Sequence, residues 1–158
     1  MLDLREMTAA DDKAVAALIR HSLKQHGLDI PGTVYFDKEL DHLSRFYGHS
    51  GRKYFVLENA SGKVVGGIGY AAFAGMKETA ELQKLYLDDS ARGAGLGYKM
   101  IAFIENEMRK AGFKVSYLET HDNLKAAIHI YEKSGYTETE RPEAVVHSTM
   151  NRFFIKRL

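Results

Sequence analysis

The chain contains no cysteine. That single absence excludes disulfides, thiolate nucleophiles and cysteine-based zinc sites. No apolar stretch reaches membrane-spanning length, and the opening Met1-Leu2-Asp3-Leu4-Arg5-Glu6 alternates charged with apolar residues instead of building a signal-peptide core. With no address to read, the expected location is the cytoplasm. Charge of one sign is also lacking. A formal net charge of +1 gives no electrostatic case for nucleic acid or a membrane surface as partner. There is no internal repeat and no low-complexity segment. The only two prolines, Pro31 and Pro142, both fall in expected loops. None of the seven histidines sits at a metal-binding spacing, so no metal is expected.

What is present suits one domain spanning residues 1–158, since 45% hydrophobic residues are enough for a packed core. Residues 2–7 read as a short strand. Thr8 is placed as an N-cap, with Asp11 acting on the exposed amides of the first turn. Val15, Leu18, Ile19 and Leu23 recur at helical spacing, which predicts a helix over about 9–25. A loop follows over 27–32, then an amphipathic helix with Leu40, Leu43, Phe46 and Tyr47 on one side. Three strands are expected at 53–58, 64–73 and 79–87, joined by turns at 59–62 and 75–78 into an antiparallel meander. A helix to about Ala111 carries the apolar stripe Leu96, Met100, Ile101, Ile104 and Met108, with Glu105 and Arg109 paired on the solvent side. A strand at 114–120 and a helix capped by Asp122 or Asn123 follow, the helix carrying Leu124, Ala127, Ile128 and Tyr131 and stopping at Gly135. Strands at about 136–140 and 151–157 close the chain. The sum is a mixed α/β sheet with helices on both faces.

The most informative segment is Arg92-Gly93-Ala94-Gly95-Leu96-Gly97, between a strand and a helix. Glycine lets successive backbone amides converge on one point. The helix adds its positive N-terminal end, and Arg92 adds a full charge, so the loop is suited to an anion. A Walker loop does not fit: counted from Gly93, the glycine that should precede Lys99 is Tyr98. The dinucleotide pattern G-x-G-x-x-G fails too, because its last glycine falls on Tyr98 or on Met100. The pattern that does fit is R-x-x-G-x-G, on Arg92, Gly95 and Gly97.

This segment resembles the pyrophosphate loop of the GNAT acetyltransferases. A second stretch strengthens the likeness: Asn123-x-x-Ala126-Ala127-Ile128-x-x-Tyr131-Glu132-Lys133-x-Gly135-Tyr136 is similar to the other signature of that family. The two motifs come in family order, and the resemblance covers residues 53–140, with compatible elements on either side. It implies the GNAT fold, a mixed and mostly antiparallel sheet of about six or seven strands flanked by about four helices. It also implies an N-acetyltransferase that uses acetyl-CoA as co-substrate and moves its acetyl group to a primary amine, on a small molecule or peptide, by direct attack in a ternary complex. The alternative is a non-catalytic acyl-CoA-binding module on the same fold.

By resemblance, Leu85, Tyr86 and Leu87 hold the pantetheine arm through their backbone. Arg92, Gly93, Ala94, Gly95, Leu96 and Gly97 hold the diphosphate, and Asn123 adds a polar contact to the cofactor arm. Tyr131 is the implied general acid, protonating the departing thiolate; its place on an apolar stripe also allows an ordinary core aromatic. Glu81 is the implied general base, with a solvent-facing glutamate as the alternative. Many relatives carry proline after the third strand of the meander. This chain has Asp88-Asp89-Ser90, whose carboxylates are expected to point away from the loop. The 24–37 and 142–150 loops are the implied walls of the acceptor groove, and His121 is a further candidate there. A homodimer is common in the family.

Overall fold

The computed structural model describes residues 3–145 and 148–158. Leu2, the first residue of the predicted opening strand, lies outside these residues, as do Val146 and His147. Strand β1 covers Leu4–Glu6. Thr8 then stops the extended chain. Its backbone amide donates to Asp11 Oδ2 at 2.8 Å, and Arg5 reaches the same carboxylate with both terminal nitrogens at 2.8 and 2.9 Å. This bidentate pair drives the Asp11 carboxyl below its usual range. A 3-10 turn over Ala9–Asp11 leads into helix α1, Asp12–Gln25, whose Val15, Leu18, Ile19 and Leu23 are buried as their spacing predicts.

The predicted second helix is mostly a different structure. A 3-10 segment, Lys38–His42, precedes a single α-turn, α2, Leu43–Phe46. Leu40, Leu43 and Tyr47 are buried as expected, but Phe46 is exposed and packs under the Arg52 guanidinium instead. The segment is too short to sustain α-helix on propensity, and its shape follows the core contacts of those three side chains.

The remaining elements are β2 (Arg52–Glu58), β3 (Val64–Ala72), β4 (Thr79–Leu87), α3 (Leu96–Lys110), β5 (Val115–Thr120), α4 (Lys125–Lys133), β6 (Thr137–Thr139) and β7 (Arg152–Arg157). The seven strands form one sheet in the order β1-β2-β3-β4-β5-β7-β6. All neighbours are antiparallel except β4 and β5, which α3 connects as a parallel pair. Strand alternation sorts the core onto two faces. Tyr54 and Val56 of β2 pack with α1 and α2, while Phe55 and Leu57 pack with the cluster that includes α3 and α4. Among the described residues, no helix is long and apolar enough to cross a membrane.

Two local expectations are overturned. Glu105 does not pair with Arg109 on the wet side. It is buried, and its oxygens accept from Lys156 Nζ at 3.0 and 2.9 Å, while the same ammonium donates to the Ser134 carbonyl at 2.7 Å. Neither Asp122 nor Asn123 caps α4. Leu124 holds the N-cap position, Asp122 pairs with Arg152, and the Asn123 amide donates to the His26 carbonyl at 2.9 Å. In both cases a partner distant in sequence outcompetes the local one.

Candidate active site

Thr79, Ala80 and Glu81 of β4 pair with Val115, Ser116 and Tyr117 of β5, and there the ladder stops. Beyond Glu81 the two strands diverge, so Leu82–Leu87 present one edge without a strand partner on that side. An unpaired edge is a row of free amides and carbonyls. The gap holds a cavity of about 490 Å³, within the size range of small-ligand sites. Its floor is β4, including Leu85, Tyr86 and Leu87; its far wall is α4 with Ala127, Ile130 and Tyr131; Glu119 and Thr120 of β5 close one end.

The register of β3 against β4 slips between Gly67 and Gly69, which face Tyr86 and Gln83. Two residues of β4, Lys84 and Leu85, therefore stand opposite one of β3. Such a bulge leaves its extra residue outside the ladder. Lys84 carries φ +52°, a left-handed conformation uncommon for a side-chain-bearing residue. The Tyr54 hydroxyl pins it by donating to the Lys84 carbonyl at 2.7 Å. Strain held by surrounding structure beside a cavity is a mark of a functional site.

At the other end of β4, Asp88 caps a 3-10 turn over Asp89–Ala91. The chain then enters the glycine loop with Gly93 at φ +86° and Gly95 at φ +70°, where added side chains would meet strain but no neighbour. Gly95 occupies the N-cap position of α3, so the loop opens at the positive end of a 15-residue helix. Gly97 serves differently: a Cβ there would lie 2.9 Å from Ile130 Cδ1, so its smallness lets α3 and α4 approach. Arg92, Gly93, Gly95, Leu96 and Gly97 all border the cavity, and Ala94 does not. Asp89 does not point away from the loop as expected. Its carboxylate pairs with Arg92 at 3.0 Å and accepts from Gln25 at 2.8 Å. Arg92 is thus held in place by a neighbour that also offsets part of its charge.

Tyr131 is both a core residue and a cavity-lining one. Its ring belongs to the core, edge-on to Tyr136 at 6.0 Å, yet it also lines the cavity. Among the described residues its hydroxyl has no hydrogen-bond partner and is not sealed from the cavity. Burial raises its pKa well above that of a free phenol, so it carries its proton at neutral pH. Glu81 is not solvent-facing. Its carboxyl is pushed up to about 7: burial is the main cause, opposed by the Gln83 amide donating at 3.1 Å, with nearby Glu119 adding to the rise and Lys84 opposing it.

Around Glu81 lie groups the sequence reading did not single out. Gln83 accepts from the buried Tyr47 hydroxyl at 2.6 Å. Glu119 is oriented by the Tyr117 hydroxyl at 2.9 Å and by Ser148 at 3.3 Å. Lys84 lies 5.8 Å over the Tyr47 ring. Glu119 was detectable as the one carboxylate of the predicted strand 114–120; Lys84 was not, because a bulge leaves no periodic trace. Asn123 and Glu81 stand outside the cavity wall proper, and His121 uses Nδ1 to accept from the Asn123 backbone N–H at 3.1 Å. Of the two expected acceptor loops, 24–37 and 142–150, His26 and Met150 border the cavity, beside Ser22 and Leu23 of α1, and Gly32 approaches Thr149, so the two loops meet. No cluster of His, Asp and Glu among the described residues has the geometry to hold a metal.

The arrangement is similar to known proteins throughout. The model of the acetyltransferase (GNAT) family matches residues 15–136. An uncharacterized N-acetyltransferase of Escherichia coli, YjgM, is 38% identical over 135 residues, covering 84% of this chain and 80% of the relative. A GNAT-family acetyltransferase of Staphylococcus aureus superposes with a TM-score of 0.86 at 20% identity, covering 100% of this chain and 99% of its own. The PaiA N-acetyltransferase of Thermoplasma acidophilum, solved in complex with coenzyme A, superposes with a TM-score of 0.78 at 18% identity, over 100% and 99% of the two chains. The chain belongs to the acetyltransferase (GNAT) family and is an acyltransferase.

Proposed function

We propose that this protein transfers the acetyl group of acetyl-CoA to a primary amine by direct attack within a ternary complex. The observation that carries the reading is the divergence of β4 from β5 after Glu81 and Tyr117. It frees a strand edge over Leu82–Leu87 between the glycine loop at one end and Tyr131 across the gap. The dimensions suit an extended thioester arm lying along that edge, its diphosphate on the amides of Gly93 to Gly97 with Arg92. Leu85, Tyr86 and Leu87 would bond the arm through backbone groups. An amide of the bulge would steady charge developing on the thioester oxygen.

The chain's own residues then divide the proton work. Glu81, half-ionised near neutrality, takes a proton from the acceptor ammonium, directly or through water. The freed nitrogen forms the new C–N bond as the C–S bond breaks, and it releases its second proton to solvent as the amide forms. Tyr131 gives its proton to the departing sulfur and regains one from solvent. The chain has no cysteine to carry the acetyl group in an intermediate, which favours direct attack. The test is a panel of amines assayed for thiol release with acetyl-CoA, alongside calorimetric titration with coenzyme A. Turnover on at least one amine class supports the reading. Coenzyme A binding with no turnover on any class would replace it with a non-catalytic binding module.

A further inference from the structure

Besides Arg92, two residues of opposite charge line the cavity, one from each diverging strand. Glu119 of β5 is held by Tyr117 and Ser148. Lys84 of β4 is different. It is half-buried, it lines the cavity, and among the described residues its ammonium has neither an ion-pair nor a hydrogen-bond partner. Its one neighbour of note is the face of Tyr47. Glu81, Asp37 and Glu119 are the surrounding carboxylates, and none comes within ion-pairing distance of it. Glu81 is turned to Gln83, and Asp37 accepts from the Glu39 amide at 2.9 Å.

A partly desolvated ammonium with no partner is costly, and the backbone under it is already strained. The sequence could have placed an apolar residue in the bulge at no such cost. The position therefore reads as one completed by an anionic group of a ligand. Arg92 and the α3 N-terminus, at the far end of β4, already serve the diphosphate. Lys84 lies instead at the Glu81 end, where the acceptor enters.

We infer that the acceptor is an amino acid, bound with its carboxylate on Lys84 and its amine towards Glu119 and Glu81. This rests on the acetyl-transfer reading and names the substrate class of the same site. Either charge alone would suit many amines. The pair of opposite charges across one cavity suits a molecule that carries both.

The test uses the wild-type protein first. With acetyl-CoA saturating, each amino acid that turns over is compared with its carboxamide, which keeps the amine and the side chain but lacks the anion. The acid should exceed the amide in kcat/KM by about 10- to 100-fold, the size expected of a charge-assisted hydrogen bond. The amide has the less basic and more readily deprotonated amine, so a preference for the acid runs against intrinsic reactivity. Lys84→Met should bring the ratio close to one through KM while coenzyme A affinity stays within about twofold, and Lys84→Arg should restore the preference. Equal or better turnover of the amides by the wild type overturns the inference, as does a preference that survives in Lys84→Met. If no amine is acetylated, the transfer reading has failed, and binding decides this one. The amino acid should still bind the coenzyme A-loaded protein more tightly than its amide, and equal or absent binding overturns it.

Discussion

Glu81 and Tyr117 form the last register pair between β4 and β5, and the two strands separate immediately beyond them. The carboxylate therefore sits at the apex of the gap, largely buried and just outside the cavity wall. Its raised pKa is a consequence of that position. With the folded value at about 7, kcat/KM should rise as pH increases through 7, because Glu81 gains the ability to accept a proton. Glu81→Gln should abolish that limb and lower turnover by roughly 10²-fold or more. An unchanged pH profile in the variant would remove Glu81 from the role of base.

The same shift has a stability consequence. A carboxyl raised in the folded state holds its proton where the unfolded chain has released it, between its ordinary value of 4.5 and about 7. The folded state is then favoured as pH falls through that window and disfavoured as pH rises through it. Glu81→Gln should raise the thermal midpoint at pH 8 and leave it nearly unchanged at pH 4.5. Thermal unfolding at the two pH values measures this directly.

Tyr131→Phe deletes one oxygen and leaves the ring packing with Tyr136 and Phe154 in place. Stability should stay within about 1 kcal/mol. Turnover should drop by roughly 10²-fold or more while coenzyme A affinity stays within about twofold. Steady-state kinetics and calorimetry separate the two, and unimpaired turnover would end the acid assignment.

In the glycine loop, Arg92→Ala combined with Gly95→Val should weaken coenzyme A binding by at least about tenfold. A β-branched residue at φ +70° alone costs on the order of 1–2 kcal/mol. Asp89→Asn should act the other way. It removes the carboxylate that occupies Arg92, and because the pair is exposed the gain is small, about two- to fivefold tighter. Calorimetry on the two variants reads both directions.

Lys156→Met strands a buried carboxylate on Glu105. The expected loss is on the order of 3 kcal/mol in urea unfolding. Adding Glu105→Leu should recover most of it, because replacing both charges leaves nothing unpaired. A single variant with wild-type stability would show that the pair is not what holds β7 against α3.

Some of this could be read directly from the residues. Thr79–Leu87 is a strand over the very span expected, because period-two patterning there is bounded by turn residues on both sides. The glycine loop was visible for a similar reason: positive φ at Gly93 and Gly95 is a backbone demand that only one residue type meets cheaply. Glu105 was misplaced because helical spacing puts Arg109 within reach, and nothing local announces that Lys156, 51 residues on, lies closer. Asn123 looked like a cap for the same kind of reason, while its amide goes to His26, 97 residues away.

By itself the sequence determined most of the elements, the mixed sheet and the glycine loop, since the patterns that mark them lie within a few positions along the chain. Only the tertiary structure decided how the Glu81 end of the cavity is charged. Lys84 reaches the cavity wall through a bulge created by the β3–β4 register, and Glu81 comes near Glu119 because two strands pair for three residues and then part. Both are properties of strand pairing, and burial and charge are set there by what arrives from elsewhere in the chain.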